Sequence, residues 1–473
     1  MKTISIVGGG FAGTMLAVQL IEQATQPLKI QIINKNMRNM ARGVAYHPYS
    51  KTQLLNVPTA KMSAFPDRPT HFLDWVMQQP KYQNAPQSLV ANAFLPRYFY
   101  GNYLVEVWEK AQQLAAQKGL SIELIEALVT DINIAEAHQV QIELNKERWL
   151  NTDYCVLATG NNIPRNPNIA NQAFYQSPHY FQNPWKKESV EGLAANSNVL
   201  IVGNGLTMVD TVLGLLENDF HGTIYSLSPN GFNILPHRHG GVQYTQLAEE
   251  LDVKSGLTDL VKLVNKHIKQ VRGFGISAEP IIDSFRPFTH QIWQNLNDTE
   301  KQCFMNRLRH LWGVARHRIP LHIHDHLQQL RINGQLKIIS GKLLDIQEKE
   351  GAISVKYYDK KDKKEASMQV VRVINCTGPE TDLSKTTDNF LSNALNKGYL
   401  TQDALKLGLC TDVKTFQIRQ KNGTTSPHFL TLGSNLKGEL WESTAANELR
   451  AQAKQLANFL VSGIEQTDKT ASN

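Results

Sequence analysis

Thr3-Ile4-Ser5-Ile6-Val7-Gly8-Gly9-Gly10-Phe11-Ala12-Gly13-Thr14-Met15-Leu16 carries the pattern that decides the fold. Thr3–Val7 alternates and is rich in β-branched residues, which reads as a strand. Thr14–Ala24 sets Met15, Leu16, Val18, Leu20 and Ile21 on a helical repeat, and Leu28–Ile33 reads as a second buried strand. Strand, glycine turn, helix and strand form a βαβ unit, the context in which Gly-x-Gly-x-x-Gly signifies dinucleotide binding. Gly8 permits the tight bend, Gly10 lets the backbone approach a pyrophosphate, and Gly13 lets helix and strand pack closely. Phe11 and Ala12 complete the turn, and the helix N-terminus offers free N–H groups and a positive dipole end to the anion. The acid that would hold ribose hydroxyls at the end of the second strand is missing. Ile33-Asn34-Lys35 offers Asn34, which can still donate and accept hydrogen bonds.

The layout recurs. Asn198–Val202 reads as a strand, Gly203-Asn204-Gly205-Leu206-Thr207-Met208 as a turn with Met208 replacing the third glycine, Val209–Glu217 as a helix and Thr223–Leu227 as the next strand. Each copy closes alike: Asp153–Leu157 runs into Ala158-Thr159-Gly160, and Val370–Ile374 runs into Asn375-Cys376-Thr377-Gly378. Helices are expected over His71–Gln79 and Tyr98–Gln117, strands over Ile122–Ile134 and Gln139–Leu144, and a meander over Lys337–Gln347 and Ile353–Tyr358. Asn161–Asn196, rich in Pro and Asn, reads as a crossover. The expected fold is α/β: two Rossmann-like dinucleotide-binding domains, the second inserted into the first, with β-meanders and a helical insertion. Residues 1–165 and 379–473 would form the first domain. Residues 195–378 would form the second, with the insertion at about 246–326. The polar tail Ser462–Asn473 is expected to fray.

With 473 residues, 41% of them apolar, the chain can bury large cores, and wholesale disorder is excluded. Apolar runs fall short of a spanning helix. The start, Met1–Gly8, has an apolar stretch too short for a signal peptide, so the expectation is a soluble, cytoplasmic protein. Cys155, Cys303, Cys376 and Cys410 are scattered, without a CxxC pair or metal-ligand spacing. The net charge is +7. Its one dense cluster, Lys360-Lys361 and Lys363-Lys364, reads as a solvated hairpin tip rather than a nucleic-acid patch. No nucleophile elbow is present, so no catalytic side chain is assigned.

Ser228-Pro229-Asn230 ends the second unit's second strand without an acid, which tilts the coenzyme from NAD to NADP. Arg238 is either a partner for the 2′-phosphate or an exposed loop arginine. His322-Ile323-His324-Asp325-His326 falls one residue short of a metallohydrolase HxHxDH set. Neighbouring Arg316 and Arg318 would repel a divalent ion, so no metal site is expected. Those two arginines would either meet a phosphate or acidic substrate, or lie at the surface.

Two glycine turns with matching closures resemble the two-dinucleotide-binding-domain flavoproteins, which include glutathione-reductase-like enzymes and class B flavin monooxygenases. More narrowly, the chain resembles the bacterial FAD-NAD(P)-binding protein family. The likeness rests on Gly43-Val44-Ala45-Tyr46, Leu54-Leu55-Asn56-Val57-Pro58, Lys61-Met62-Ser63, Trp312–Arg318 and Gly438-Glu439-Leu440-Trp441-Glu442-Ser443-Thr444 through Arg450. The resemblance implies FAD on the first unit, with Asn56, Met62, Ser63, Trp441, Ser443 and Thr444 in its site, and NADPH or NADH on the second. Thr159-Gly160 and Thr377-Gly378 would mark the domain crossings, and Gly433–Leu436 would approach the flavin. Ser443 reads as the N-cap of a helix aimed at the flavin. Phe174–Trp185 is loosely similar to the monooxygenase linker FxGxxxHxxxW, through His179 and Trp185.

The implied activity is an FAD-dependent oxidoreductase that uses NAD(P)H. Lacking CxxC, it would pass electrons to oxygen, as a monooxygenase that N-hydroxylates a small amine or amino acid. A simple NAD(P)H oxidase or reductase and a non-catalytic flavin-binding regulator are the alternatives. A small molecule is the expected partner, with neither nucleic acid nor membrane.

Overall fold

The computed structural model describes residues 1–47, 51–134, 139–238, 242–386 and 390–471, with side chains described to residue 466. β1 (Lys2–Val7), β2 (Leu28–Asn34) and β3 (Ser121–Glu126) lie parallel, and β1 is central. Ile4 and Ile6 on one face and Ser5 and Val7 on the other are all buried, as expected of a strand covered on both faces. Its one buried polar residue is satisfied: the Ser5 hydroxyl donates to Gln31 Oε1 at 2.8 Å, and Gln31 Nε2 donates to Glu123 Oε2 at 2.8 Å, a ladder across three strands.

β4 (Val129–Ile134), β5 (Val140–Leu144) and β6 (Arg148–Thr152) form a separate antiparallel sheet, and β7 (Tyr154–Leu157) re-enters beside β1. The single strand expected over Ile122–Ile134 is therefore two strands in two sheets. At the break, Ala127 N–H donates to Asn34 O and Leu128 N–H to Asn145 Oδ1, which carries the chain from one sheet to the other. The apolar alternation runs through this point without a Gly or Pro to betray it.

β8 (Tyr180–Phe181), β9 (Val199–Val202), β10 (Ile224–Ser228), β11 (Leu336–Lys349), β12 (Ala352–Asp359), β13 (Lys364–Val370) and β14 (Arg372–Asn375) build the second large sheet, in the order β13-β12-β11-β10-β9-β14-β8. β15 (Gln417–Arg419) and β16 (Thr425–Thr431) return to the first sheet, where Phe429 lies opposite Cys155 and the order is β15-β16-β7-β1-β2-β3. The chain thus adopts the expected α/β class with two Rossmann-like sheets.

The helix Phe11–Gln23 packs on Ala446–Ala471 and Arg97–Gln117. The tail expected to fray instead continues that C-terminal helix to Ala471. Between β10 and β11 a group of helices runs from Gln246–Glu250 to Leu321–Ile332. It is packed around Leu247, Ile281, Phe285 and Trp293. No helix among the described residues is long and apolar enough to cross a membrane.

A buried ion pair joins the two halves. Arg97 Nη1 lies 3.0 Å from Asp210 Oδ2 on the helix Leu206–Glu217, with both side chains nearly excluded from solvent. Arg97 Nε also donates to Leu54 O, and Lys51 N–H and the Thr52 hydroxyl reach the Glu217 carboxylate. Burial pushes the Asp210 carboxyl up despite Arg97. Removing the cation leaves a buried, unpaired carboxylate, so Arg97→Met should lose about 3–5 kcal/mol of stability. The sign of the pH dependence follows from linkage. A carboxyl with a raised native pKa keeps its proton longer when folded, so its contribution falls as pH rises from the unfolded value towards the native one. Without Arg97 the native value climbs further. Urea unfolding should show a larger deficit for the variant at about pH 8 than at about pH 5.

Candidate functional site

The two glycine turns are built alike, atom for atom. Gly8 (φ +114°) and Gly203 (φ +116°) are left-handed, and a Cβ on either would stand 2.2 Å from Ala158 O or 2.3 Å from Cys376 O. Gly8 N–H donates to Ile33 O and Gly203 N–H to Leu227 O, each at 2.8 Å. Ala158 N–H donates to Val7 O, as Cys376 N–H does to Val202 O. A Cβ on Gly13 would fall 1.9 Å from Gly8 O, so the third glycine is sterically required in the first turn. Met208, at the matching position of the second, is buried in its core.

Gly10 and Gly205 each cap a helix with extended backbone and no side-chain hydrogen bond, leaving the first-turn N–H groups to an anion. Above Gly10 stands Gly43, whose Cα would meet an added Cβ at 3.5 Å; above Gly205 an added Cβ meets nothing within 4 Å. These are cradles that a side chain would fill, and both fit a pyrophosphate. Asn34 flanks the first turn and donates to Asn36 O at 2.7 Å. Phe11 is buried edge-on to Tyr46, and Gly433 (φ +82°) would bring a Cβ to 3.8 Å from Ala12 Cβ, so the C-terminal return stands over the first turn.

A cleft of about 710 Å³ lies between the second turn and that return. It gathers Gly160, Gly203, Gly205, Thr207, Gly378 and Thr444 of the expected residues. Thr159 stands at its edge, where its Oγ1 accepts from Asn435 Nδ2 at 3.2 Å.

Other expected residues are spent elsewhere. Met62 is packed in the core, and the Ser63 hydroxyl is buried and donates to Arg68 O at 2.6 Å, so both shape a wall rather than offer a polar atom. Asn56 is fixed through its backbone, whose carbonyl accepts from His237 Nε2 at 2.9 Å. Ser443 is not the N-cap, because the helix starts at Ala446. Its buried hydroxyl donates to Gly433 O and accepts from Gln452 Nε2, pinning the Gly433 turn. Trp441 holds a left-handed backbone (φ 61°) and packs between Trp293 and Phe304, 5.0 and 4.9 Å away, against the helical insertion.

Arg316 and Arg318 are not open to a phosphate. Arg316 Nε meets Glu442 Oε2 at 3.1 Å, and Arg318, 5% exposed, holds Glu279 and Asp283. Arg238 is exposed and does not line the cleft, and its neighbour His239 lies outside the described residues. His179 pairs with Glu348 at 2.7 Å. Among the described residues no group of three or more His, Cys, Asp or Glu is placed to hold a metal.

Sequence reasoning gave no role to Arg309, His310, His317 or Lys437, which line the same cleft together with Ser434 and Asn435 of the Gly433–Leu436 stretch expected near the flavin. His310 and His317 are held neutral by burial and by Arg309 and Arg316 beside them. A π-helical stretch, Phe304–Leu308, precedes Arg309; such bulges recur at functional sites, but no residue pattern announces them. The four cysteines are unbridged. Cys155 and Cys376 are buried, and burial pushes the Cys376 thiol up to about 12 and Cys155 higher still.

Residues 5–162 match the model of the FAD-NAD(P)-binding family. Over that stretch the family likeness read from the sequence holds. No curated protein matches the chain in sequence. Among solved structures, an ornithine N-hydroxylase of Kutzneria sp. 744, solved with reduced FAD, NADP+ and L-ornithine, is 13% identical with a TM-score of 0.64, covering 98% of this chain and 99% of its own. The L-lysine 6-monooxygenase of Pseudomonas syringae is 16% identical at 0.65, over 98% and 99%. The bacillithiol disulfide reductase of Staphylococcus aureus is 11% identical at 0.54, over 98% and 99%. The chain therefore shares, end to end, the fold of two-dinucleotide-binding flavoproteins.

The glycine contacts predict a contrast. Gly13→Ala and Gly203→Ala put a Cβ inside a backbone oxygen and should each cost about 1–3 kcal/mol or more. Gly205→Ala enters open space and should unfold within a degree or two of the parent, as thermal melts would show.

Proposed function

We propose that the protein is an FAD-dependent, NADPH-consuming monooxygenase that N-hydroxylates a small amine or amino acid in the cytoplasm. The observation that carries this reading is the cleft, which runs from the second glycine turn to the return segment standing over the first. Bound together, the cofactors would supply hydride transfer from NADPH to FAD and activation of O2, for the balance R–NH2 + O2 + NADPH + H⁺ → R–NHOH + NADP⁺ + H2O.

The chain's own residues orient these groups. The Phe11–Gln23 helix N-terminus would hold the FAD pyrophosphate, with room at Gly10 and Gly43, and the Leu206–Glu217 N-terminus would hold that of NADPH, with room at Gly205. Ser228-Pro229-Asn230 puts no acid against a 2′-phosphate. Thr444, two residues before the C-terminal helix, brings that helix's positive end to the cleft; the charge of its first-turn Glu448 is met by Arg286 at 2.5 Å. His310 and His317, neutral, can take the proton from a substrate ammonium, which must be shed before nitrogen acts as a nucleophile.

The disulfide-reductase neighbour marks the rival reading. Against it stand the thiols: exchange needs an accessible thiolate, and Cys155 and Cys376 are buried and protonated at neutral pH. Purified protein should be yellow, its flavin reduced faster by NADPH than by NADH, and amine-dependent turnover should yield a hydroxylamine. Gly10→Val should lose the flavin, because its branches fill the slot against Gly43. A variant with all four cysteines replaced by Ser should keep at least half the NADPH-driven oxygen consumption. Loss of oxygen consumption with normal flavin reduction would make the thiols redox partners and end the monooxygenase reading.

A further inference from the structure

Four basic side chains line the cleft, Arg309, His310, His317 and Lys437, against one acid, Glu380. Glu380 is already engaged: its Oε1 accepts from the Thr381 and Asp382 amides at 2.9 and 2.8 Å. The two permanent cations, Lys437 half-buried and Arg309 exposed, are not paired in this way. Lys437 lies over the Trp441 ring at 5.2 Å, and Arg309 meets only His310 Nε2 at 3.1 Å. Among the described residues neither has a carboxylate at ion-pair distance. Burial and the Arg309 charge push the Lys437 ammonium down from its ordinary range, as expected of a cation that lacks an anion. Beside them Ser434, three residues before Lys437 on a tight helical turn, has its Oγ buried without a hydrogen-bond partner. Two cations and an unsatisfied hydroxyl, from two separate segments, thus face one cleft. A carboxylate could satisfy all three at once.

We propose that Arg309, Lys437 and Ser434 form a carboxylate subsite, so that the amine hydroxylated here carries an acid group rather than being a simple diamine. The position of Lys437 and Ser434 favours a substrate carboxylate over the coenzyme's phosphates; Arg309 reaches the same cleft from the helical insertion, in the coenzyme half. Lys437 and Ser434 belong to the return segment, which stands over Ala12 and donates a hydrogen bond through Asn435 to Thr159. The phosphate-binding backbone, Gly203 to Leu206, belongs to the other half of the fold. The proposal rests on the reading of the cleft as the meeting place of coenzyme and substrate, and NADPH reduction of the bound flavin reports that reading separately.

The test uses the FAD-loaded protein. Succinate, L-aspartate and L-lysine are titrated by calorimetry, with cadaverine as the acid-free partner of lysine, and NADP⁺ is titrated alongside. At least one carboxylate should bind, L-lysine more tightly than cadaverine. Arg309→Met and Lys437→Met should each weaken the bound carboxylate at least tenfold and change NADP⁺ affinity less than twofold. Arg309 is exposed, and its side chain's one hydrogen bond among the described residues is to His310, so its variant keeps the test alive if Lys437→Met does not fold. Three results would overturn the subsite: no carboxylate binding to a protein whose flavin NADPH reduces, binding indifferent to both substitutions, or a loss confined to NADP⁺. Failure of flavin reduction alone would instead overturn the parent reading.

Discussion

At the two glycine turns a backbone oxygen stands where a side chain would begin, and it does so three times. Ala158 O, Gly8 O and Cys376 O each lie about 2 Å from where a Cβ on Gly8, Gly13 or Gly203 would be. Those contacts let a helix begin immediately at the end of a parallel strand, with the neighbouring strand packed against the turn. From that closeness follow the exposed N–H groups of both helices, the direction of their dipoles, and the convergence of β1 with β7 and of β9 with β14 at the crossings.

The two turns then diverge in what covers them. The first lies beneath Gly43 and the Gly433 turn, with Phe11, Tyr46, Tyr100 and Phe72 packed alongside. The second opens into the cleft. This asymmetry suits a resident cofactor in the first site and an exchanging coenzyme in the second. The helical insertion forms part of the cleft's wall and also grips the return segment. Arg286 meets Glu448, Arg316 meets Glu442, and Trp312 Nε1 donates to Glu442 at 3.1 Å. The left-handed Trp441, wedged between Trp293 and Phe304, belongs to the same grip. Partly buried ion pairs of this kind hold a segment in one place more than they add stability.

Much of the site's frame was legible because it is local. A glycine turn needs only its own strand and helix to be recognised, so Gly8, Gly10, Gly13, Gly203 and Gly205 could be assigned by spacing. The side chains that line the cleft could not. Arg309 and Lys437 are far apart in sequence, and no spacing rule brings them together. Arg316 and Arg318, which looked free, are held by acids that no spacing rule connects to them. Ser443 had the residue type of a cap, yet its hydroxyl pins the Gly433 turn instead.

By itself the sequence determined the α/β class, the duplication of the dinucleotide-binding unit and the atoms that would face each pyrophosphate, since each depends on contacts within a few residues. Tertiary structure alone decided where β3 ends and β4 begins, that β16 closes beside β7, which arginines are neutralised within the scaffold, and which two cations are left facing the cleft. Those outcomes depend on pairings between distant segments, where hydrogen-bond partners and counter-charges are supplied by the fold rather than by neighbours along the chain.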